Sequence, residues 1–315
     1  MAESTRTGAA VRMIPILTPK GGFSVWTQRV GENPDVKVLL LHGGPGATHE
    51  YLANFGDYLP AAGFEIYFYD QLGSGHSDRP DEPDLWELDR FVDEVEQVRV
   101  ALELDRSNLV LFGQSWGGIL AMEYALHHQE HLKGLIVSNM MSSCRAYNAY
   151  AHEVLMPAMD QGALAAIKGF EARDETGDPR YGELLMEHHY VDHVLRLPAG
   201  EWPEPVTRSF ADINPQVYVS MQGPSELGLS GKLSDWDRTD DLRRIEVPTL
   251  VIGARHDTMD PAFMRMMAGR FPNGRYLECP DGSHLAMWDD TETYFRGLID
   301  FLRGLGGPVS QKAMS

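Results

Sequence analysis

Leu109-Val110-Leu111-Phe112 runs straight into Gly113-Gln114-Ser115-Trp116-Gly117-Gly118, and this junction constrains the fold more than any other stretch of the chain. A branched apolar run that ends at a serine between glycines reads as a strand, a sharp turn and a helix start. Gly113 to Gly117 fit G-x-S-x-G, the nucleophile elbow, in which a strained turn lifts a serine hydroxyl above a sheet. Small flanking residues let strand and helix pack closely there. The motif is short, and a glycine-rich turn with an exposed serine also satisfies it, so its meaning depends on what surrounds it.

What surrounds it is an alternation of strand and helix patterns. Met13 to Leu17 and Phe23 to Arg29, separated by Thr18-Pro19-Lys20-Gly21-Gly22, predict an antiparallel hairpin. Val36 to Leu41 is apolar except for Lys37, as in a strand buried on both faces of a parallel sheet, and it ends at His42-Gly43-Gly44-Pro45-Gly46. A helical stretch from about His49 to Ala62 leads to a strand at Phe64 to Tyr69, closed by Asp70-Gln71-Leu72-Gly73-Ser74-Gly75-His76-Ser77. Leu88, Phe91, Val92, Val95, Val98 and Leu102 recur at steps of three and four and mark a helix between Leu88 and Leu104. Ile119 to His128 reads as helix and Leu132 to Ser138 as strand. The class is α/β with a mostly parallel sheet.

From about Asn139 to Asp241 the alternation stops, and Pro157, Pro179, Pro198, Pro203 and Pro215 interrupt helical periods. This predicts a helical insertion. The α/β pattern resumes with a strand at Val247 to Gly253, a helix near Pro261 to Arg270, a strand at Gly274 to Cys279 and an amphipathic helix from Thr291 to Leu305. The expected organisation is a core formed by residues 1–138 and 242–315 with a helical cap at 139–241. The N-terminus is expected to be frayed, and a Gly/Ser-containing tail follows Leu305.

Charge narrows the partners. With 27 Lys plus Arg against 46 Asp plus Glu, the formal charge is −19, which repels phosphate backbones and anionic membrane surfaces. Neither nucleic acid nor a membrane is expected as a partner. Cys144 and Cys279 stand far apart and outside any Cys/His metal spacing, so no disulfide framework and no metal or other cofactor is expected. Met1 to Arg12 has no apolar signal core, and no stretch has the roughly 18 apolar residues of a membrane span. A soluble protein of a reducing compartment, the cytoplasm, is expected.

Acyl transfer by a serine needs a base, a carboxylate that orients the base, and N–H donors where the oxyanion develops. Each has a candidate just after a strand. Asp257 follows the strand ending at Gly253, and His284 follows the one ending near Cys279, giving the order Ser115, Asp257, His284 found in α/β-hydrolases. His256 is the nearest rival base, and Asp260, just before Pro261, reads as a helix cap. The His42–Gly46 loop occupies the place of the oxyanion loop, which assigns the hole to the N–H groups of Gly44 and Trp116. Gly73-Ser74-Gly75 lacks the rest of any phosphate-binding motif, so no nucleotide site is expected.

These residues together resemble the proline iminopeptidase family of α/β-hydrolases, which includes tricorn-interacting aminopeptidases and amino-acid amidases. The marks are His42-Gly43-Gly44-Pro45-Gly46, Asp70 to Ser77, Gly113 to Gly118, and Gly282-Ser283-His284 followed by Met287-Trp288. Met221-Gln222-Gly223-Pro224-Ser225-Glu226 and Ser234-Asp235-Trp236-Asp237 resemble the family's cap. The resemblance implies a metal-free serine exopeptidase that removes an N-terminal residue, often proline, from small peptides or amides. It also implies that Glu226 binds the substrate α-amine, for which a partly desolvated carboxylate is the natural partner. Where tricorn-interacting members carry a second amine-binding glutamate directly after the catalytic aspartate, this chain has Thr258. Asp260 and Glu50 are the candidates to replace it. The departure widens the expected substrates to amino-acid amides and esters, with a carboxylesterase as the alternative enzyme and a non-catalytic ligand-binding relative as the alternative from another class.

Overall fold

The computed structural model describes residues 10–306; the expected frayed N-terminus and the tail beyond Gly306 lie outside the described residues. Eight strands form one sheet: β1 (Ala10–Thr18), β2 (Gly21–Val30), β3 (Lys37–Leu41), β4 (Glu65–Asp70), β5 (Leu109–Gln114), β6 (Gly134–Ser138), β7 (Thr249–Ala254) and β8 (Gly274–Cys279). Their order is β1-β2-β4-β3-β5-β6-β7-β8. The opening hairpin is antiparallel and β2 pairs antiparallel with β4, while all pairs from β4 to β8 are parallel.

Alternation along the strands builds two apolar layers. Leu39, Leu41, Leu111, Val137 and Val251 face a cluster that holds Val95 and Val98 of the helix Leu88–Ala101 and Leu120 and Tyr124 of the helix Trp116–His128. Val38, Leu40, Phe112, Ile136 and Ile252 face the opposite cluster, which the helix Thr291–Leu305 covers with Phe295, Leu298, Phe301 and Leu302. Each such buried side chain stabilises the fold by about 1.5–3 kcal/mol relative to exposure. Burial on both faces explains why the central strands read as continuous apolar runs.

Element boundaries depart from the sequence reading where backbone chemistry intervenes. The helix expected over 49–62 is two short pieces, a 3-10 turn at His49–Leu52 and a helix at Phe55–Tyr58. Pro60 has no N–H to continue the helical ladder, so the second piece ends although Leu59 keeps a helical backbone. The helix expected to reach Leu104 ends at Ala101, because the chain turns through Glu103 at φ +55°.

Between β6 and β7 the regular structure is helical, and its prolines mark helix starts. Pro179 follows Asp178, whose carboxylate accepts from Arg180 N, and Pro215 follows Asn214, which accepts from Gln216 N. Proline suits the first helical position because its missing N–H would have no partner there. The stretch leaves and returns at one place: Cys144 N donates to Trp236 O at 2.9 Å and Arg238 N to Ser142 O at 2.8 Å. Trp236 Nε1 and Arg238 Nε both donate to Glu123 of the sheet-packed helix, at 2.5 and 2.7 Å. Among the described residues no helix is long and apolar enough to cross a membrane.

Candidate active site

Ser115 stands between β5 and the helix Trp116–His128 at φ +55°, ψ −127°, a conformation of high local strain for a residue with a side chain. Gly113 makes the turn possible, since a Cβ there would overlap the carbonyl of Gly117 in the helix. The loop after β3 lies against the serine: a Cβ on Gly43 would meet Ser115 Cβ at 2.9 Å. Both features follow from glycines the sequence shows.

Residues from four strand ends and the helical stretch then converge. One cavity of about 390 Å³ is lined by Ser115, His284, Gly44 and Glu226, with Tyr51, Tyr181, Leu185, Tyr190, Tyr218 and Pro224. His284 Nδ1 lies 2.8 Å from Asp257 Oδ1, and this contact leaves Nε2 as the nitrogen that can serve the serine. Asp257 is held in turn by Asn139 Nδ2 at 2.7 Å on Oδ2 and by Met259 N at 3.1 Å on Oδ1. Burial opposes the charged imidazolium, but the neighbouring Asp257 charge and hydrogen bond outweigh it, with help from Glu226, and raise the His284 pKa above its ordinary 6.5.

Of the two residues to which the sequence reading assigns oxyanion donors, Gly44 lines the cavity and Trp116 directly follows Ser115. Gly43 N donates to Tyr51 Oη at 2.5 Å, so in this loop it is Gly44, at φ +107°, that lines the cavity. Trp116 is the first helical residue, and N–H groups of a first turn have no intrahelical acceptor. Its indole Nε1 donates to Gln71 Oε1 at 2.8 Å, while Gln71 Nε2 donates to His42 O at 3.0 Å. Gln71 therefore bolts the oxyanion loop to the elbow. Tyr51 Oη donates to Gln114 Oε1 at 2.7 Å and Gln114 Nε2 to His284 O at 3.0 Å, which extends the same chain of bonds to the base.

Glu226 reaches this cavity from the helical stretch. Tyr218 Oη donates to its Oε1 at 2.6 Å, Tyr147 Oη donates to its carbonyl at 2.7 Å, and His189 Nε2 lies 3.2 Å from that carbonyl. Burial raises the Glu226 pKa above its ordinary 4.5, a shift that Asp257 augments and that His284 and Tyr218 only partly offset. A half-buried carboxylate with one oxygen fixed by a tyrosine has the chemistry to accept a cationic group.

Several sequence candidates lie elsewhere. Thr258 is fully buried, with Oγ1 at 3.3 Å from Asp257 Oδ1 and 3.2 Å from His284 Nδ1, so this position serves the His–Asp pair. Neither proposed replacement carboxylate lines the cavity: Glu50 pairs with Arg208, and Asp260 caps the helix Pro261–Ala268 through Ala262 N. That expectation is corrected by those two commitments. His256 is partly exposed, and its carbonyl faces His193 Nδ1 at 3.0 Å. Gly73-Ser74-Gly75 folds around the chain's own carboxylate, Asp70, which accepts from His49 N and His76 N. Tyr51, Gln71, Gln114, Asn139 and Tyr218 carry no spacing signature that marks them as site residues in the sequence, and only the fold brings them here. Both cysteines are buried and free, and burial with Asp237 nearby pushes the Cys144 thiol up to about 12.

Comparison with known proteins agrees with this geometry. Residues 37–291 match the model of the alpha/beta hydrolase fold. The chain is 52% identical over 290 residues to the proline iminopeptidase of Flavobacterium johnsoniae, covering 92% of this chain and 97% of that one. It is 53% identical over 293 residues to the proline iminopeptidase of Elizabethkingia meningoseptica, with the same coverage. The crystal structure of VinJ superposes with a TM-score of 0.86 at 31% identity, covering 93% of this chain and 99% of that chain. The chain thus belongs to the proline iminopeptidase family of α/β-hydrolases.

Proposed function

We propose that this protein is a serine aminopeptidase that releases an N-terminal proline, or another small apolar residue, from short peptides and amino-acid amides through an acyl-enzyme. The observation that carries this reading is the half-buried carboxylate of Glu226 in the cavity of Ser115 and His284. The similarity to proline iminopeptidases over nearly the whole chain supports it. An esterase that ignores the amine has no use for a carboxylate whose burial carries a desolvation cost.

In this mechanism the substrate ammonium pairs with Glu226, which places the first carbonyl over Ser115. His284 Nε2 takes the hydroxyl proton as Ser115 attacks, and Asp257 holds the imidazole orientation and stabilises the imidazolium. Gly44 and Trp116 N–H groups receive the oxyanion. His284 then protonates the departing amine, and water, activated by the same base, releases the amino acid. Residues 139–241 serve as a cap whose Tyr181, Leu185, Tyr190 and Tyr218 provide an apolar wall for a pyrrolidine ring. The two buried free cysteines fit a cytoplasmic setting.

Proline p-nitroanilide tests the reading. A nitroaniline burst that disappears in Ser115→Ala supports it, and equal hydrolysis of the N-acetylated substrate overturns amine recognition.

A further inference from the structure

We propose that the leaving-group side of the cavity rejects a free carboxylate, so that the enzyme cleaves prolyl amides and longer peptides well and dipeptides poorly. This rests on the aminopeptidase reading above. The leaving group must lie where His284 can hand it a proton, beside the base and the oxyanion loop. Among the lining residues, Leu285 directly follows His284, Ala47 follows the Gly44 loop, and Val194, Phe210 and Ile213 lie on segments bonded to those two; all five are apolar, and the proposal seats the leaving group against them. Their placement is tied to the machinery by backbone bonds: Leu285 N donates to Val194 O at 2.9 Å, and Asn214 N donates to Gly46 O at 2.9 Å.

In a dipeptide the terminal carboxylate follows the scissile nitrogen by one residue, a span of about 3.5 Å, and so falls against this wall. The residues lining the cavity include the acids Glu226 and Asp178 but neither lysine nor arginine. Arginines on neighbouring elements are already engaged: Arg180 with Asp178, Arg208 with Glu50 and Glu204, Arg79 with Asp212. A carboxylate brought there loses water without gaining a cationic partner, which is costly. The formal charge of −19 adds a field that repels an anionic group as it attracts the substrate amine. An amide or the next peptide unit carries no such charge. The cavity therefore recognises its substrate at both ends by charge, positive at the amine and neutral beyond the scissile bond.

The test compares kcat/KM for Pro-Leu, Pro-Leu-NH2 and a prolyl arylamide at neutral pH. The expected result is a preference for Pro-Leu-NH2 over Pro-Leu of about tenfold or more. Ile213→Arg, at a half-buried wall position, is expected to narrow that ratio at least about threefold by improving Pro-Leu, whereas Ile213→Gln leaves it wide. A cooperative thermal unfolding transition in both variants, matching the unmodified protein's, shows that they fold. A ratio near one in the unmodified enzyme overturns the proposal while leaving the aminopeptidase reading intact, and so does a wide ratio that Ile213→Arg fails to narrow. Failure to cleave any of the three substrates overturns the aminopeptidase reading itself, and this proposal with it.

Discussion

Thr258 Oγ1 lies 3.2 Å from His284 Nδ1, the same nitrogen that meets Asp257 Oδ1 at 2.8 Å. A hydroxyl thus occupies the position directly after the aspartate and helps frame the imidazole. Thr258 is fully buried. Thr258→Val should lower kcat about two- to tenfold, since it removes one buried hydrogen-bonding group while keeping the shape. The pH at which kcat rises should shift with it, a change that a purely structural role would not produce. Thr258→Glu should abolish most activity by forcing a second carboxylate beside Asp257, without tightening KM for free-amine substrates.

Removal of the nucleophile or of the orienting acid tests the triad directly. Ser115→Ala should reduce kcat by about 10⁴-fold or more, and Asp257→Asn by about 10³- to 10⁴-fold, with thermal unfolding used to verify that each variant is folded. Activity requires neutral His284, so in the unmodified enzyme kcat should climb with pH through a value above 6.5. Loss of the Asp257 charge should move that limb to lower pH. The raised pKa also means that the stabilising His284–Asp257 interaction is fully present below 6.5 and fades as pH rises through the folded-state value.

Glu226→Gln should lower kcat/KM for free-amine prolyl substrates by about 10- to 100-fold, the worth of one charge-assisted hydrogen bond, and leave N-acetylated esters unaffected. An unchanged kcat/KM on free-amine substrates would instead point to an esterase. The same substitution should change stability in a pH-dependent way. Because burial raises the Glu226 pKa above 4.5, the folded state holds the proton more tightly, so this group's stabilisation is full below 4.5 and is lost as pH rises through the folded value. Relative to the unmodified protein, Glu226→Gln should therefore gain Tm progressively from acid to neutral pH.

Tyr51→Phe should reduce kcat by about tenfold, with little change in KM. It leaves the Gly43 N–H and Gln114 Oε1 without their shared partner and loosens the link between oxyanion loop and base. Gly113→Ala acts on the fold: its Cβ would collide with the Gly117 carbonyl, and a loss of about 3 kcal/mol in denaturant-measured stability, or failure to fold, is expected.

Much of this site was legible because its chemistry is tied to strand ends. Ser115 and Asp257 follow the apolar runs of β5 and β7, and His284 follows β8, a mixed strand that holds Arg275 and Glu278. Gly44 follows β3 in the same way. The partners that hold these residues were not legible. Gln114, Asn139, Tyr51 and Gln71 are polar residues whose roles depend on bonds reaching 29 to 170 positions along the chain.

By itself the sequence determined the alternating α/β order, the elbow glycines and the positions of Ser115, Asp257 and His284 just after strands, because these depend on local periodicity, backbone freedom and chain order. The fate of position 258 and the absence of Glu50 and Asp260 from the cavity were decided only by tertiary structure. A carboxylate goes where packing supplies a donor, and here Arg208 and the amide of Ala262 claim those two. The charge that faces the cavity is set by which acids the fold pairs elsewhere, and Glu226 lines it with Tyr218 on one carboxylate oxygen.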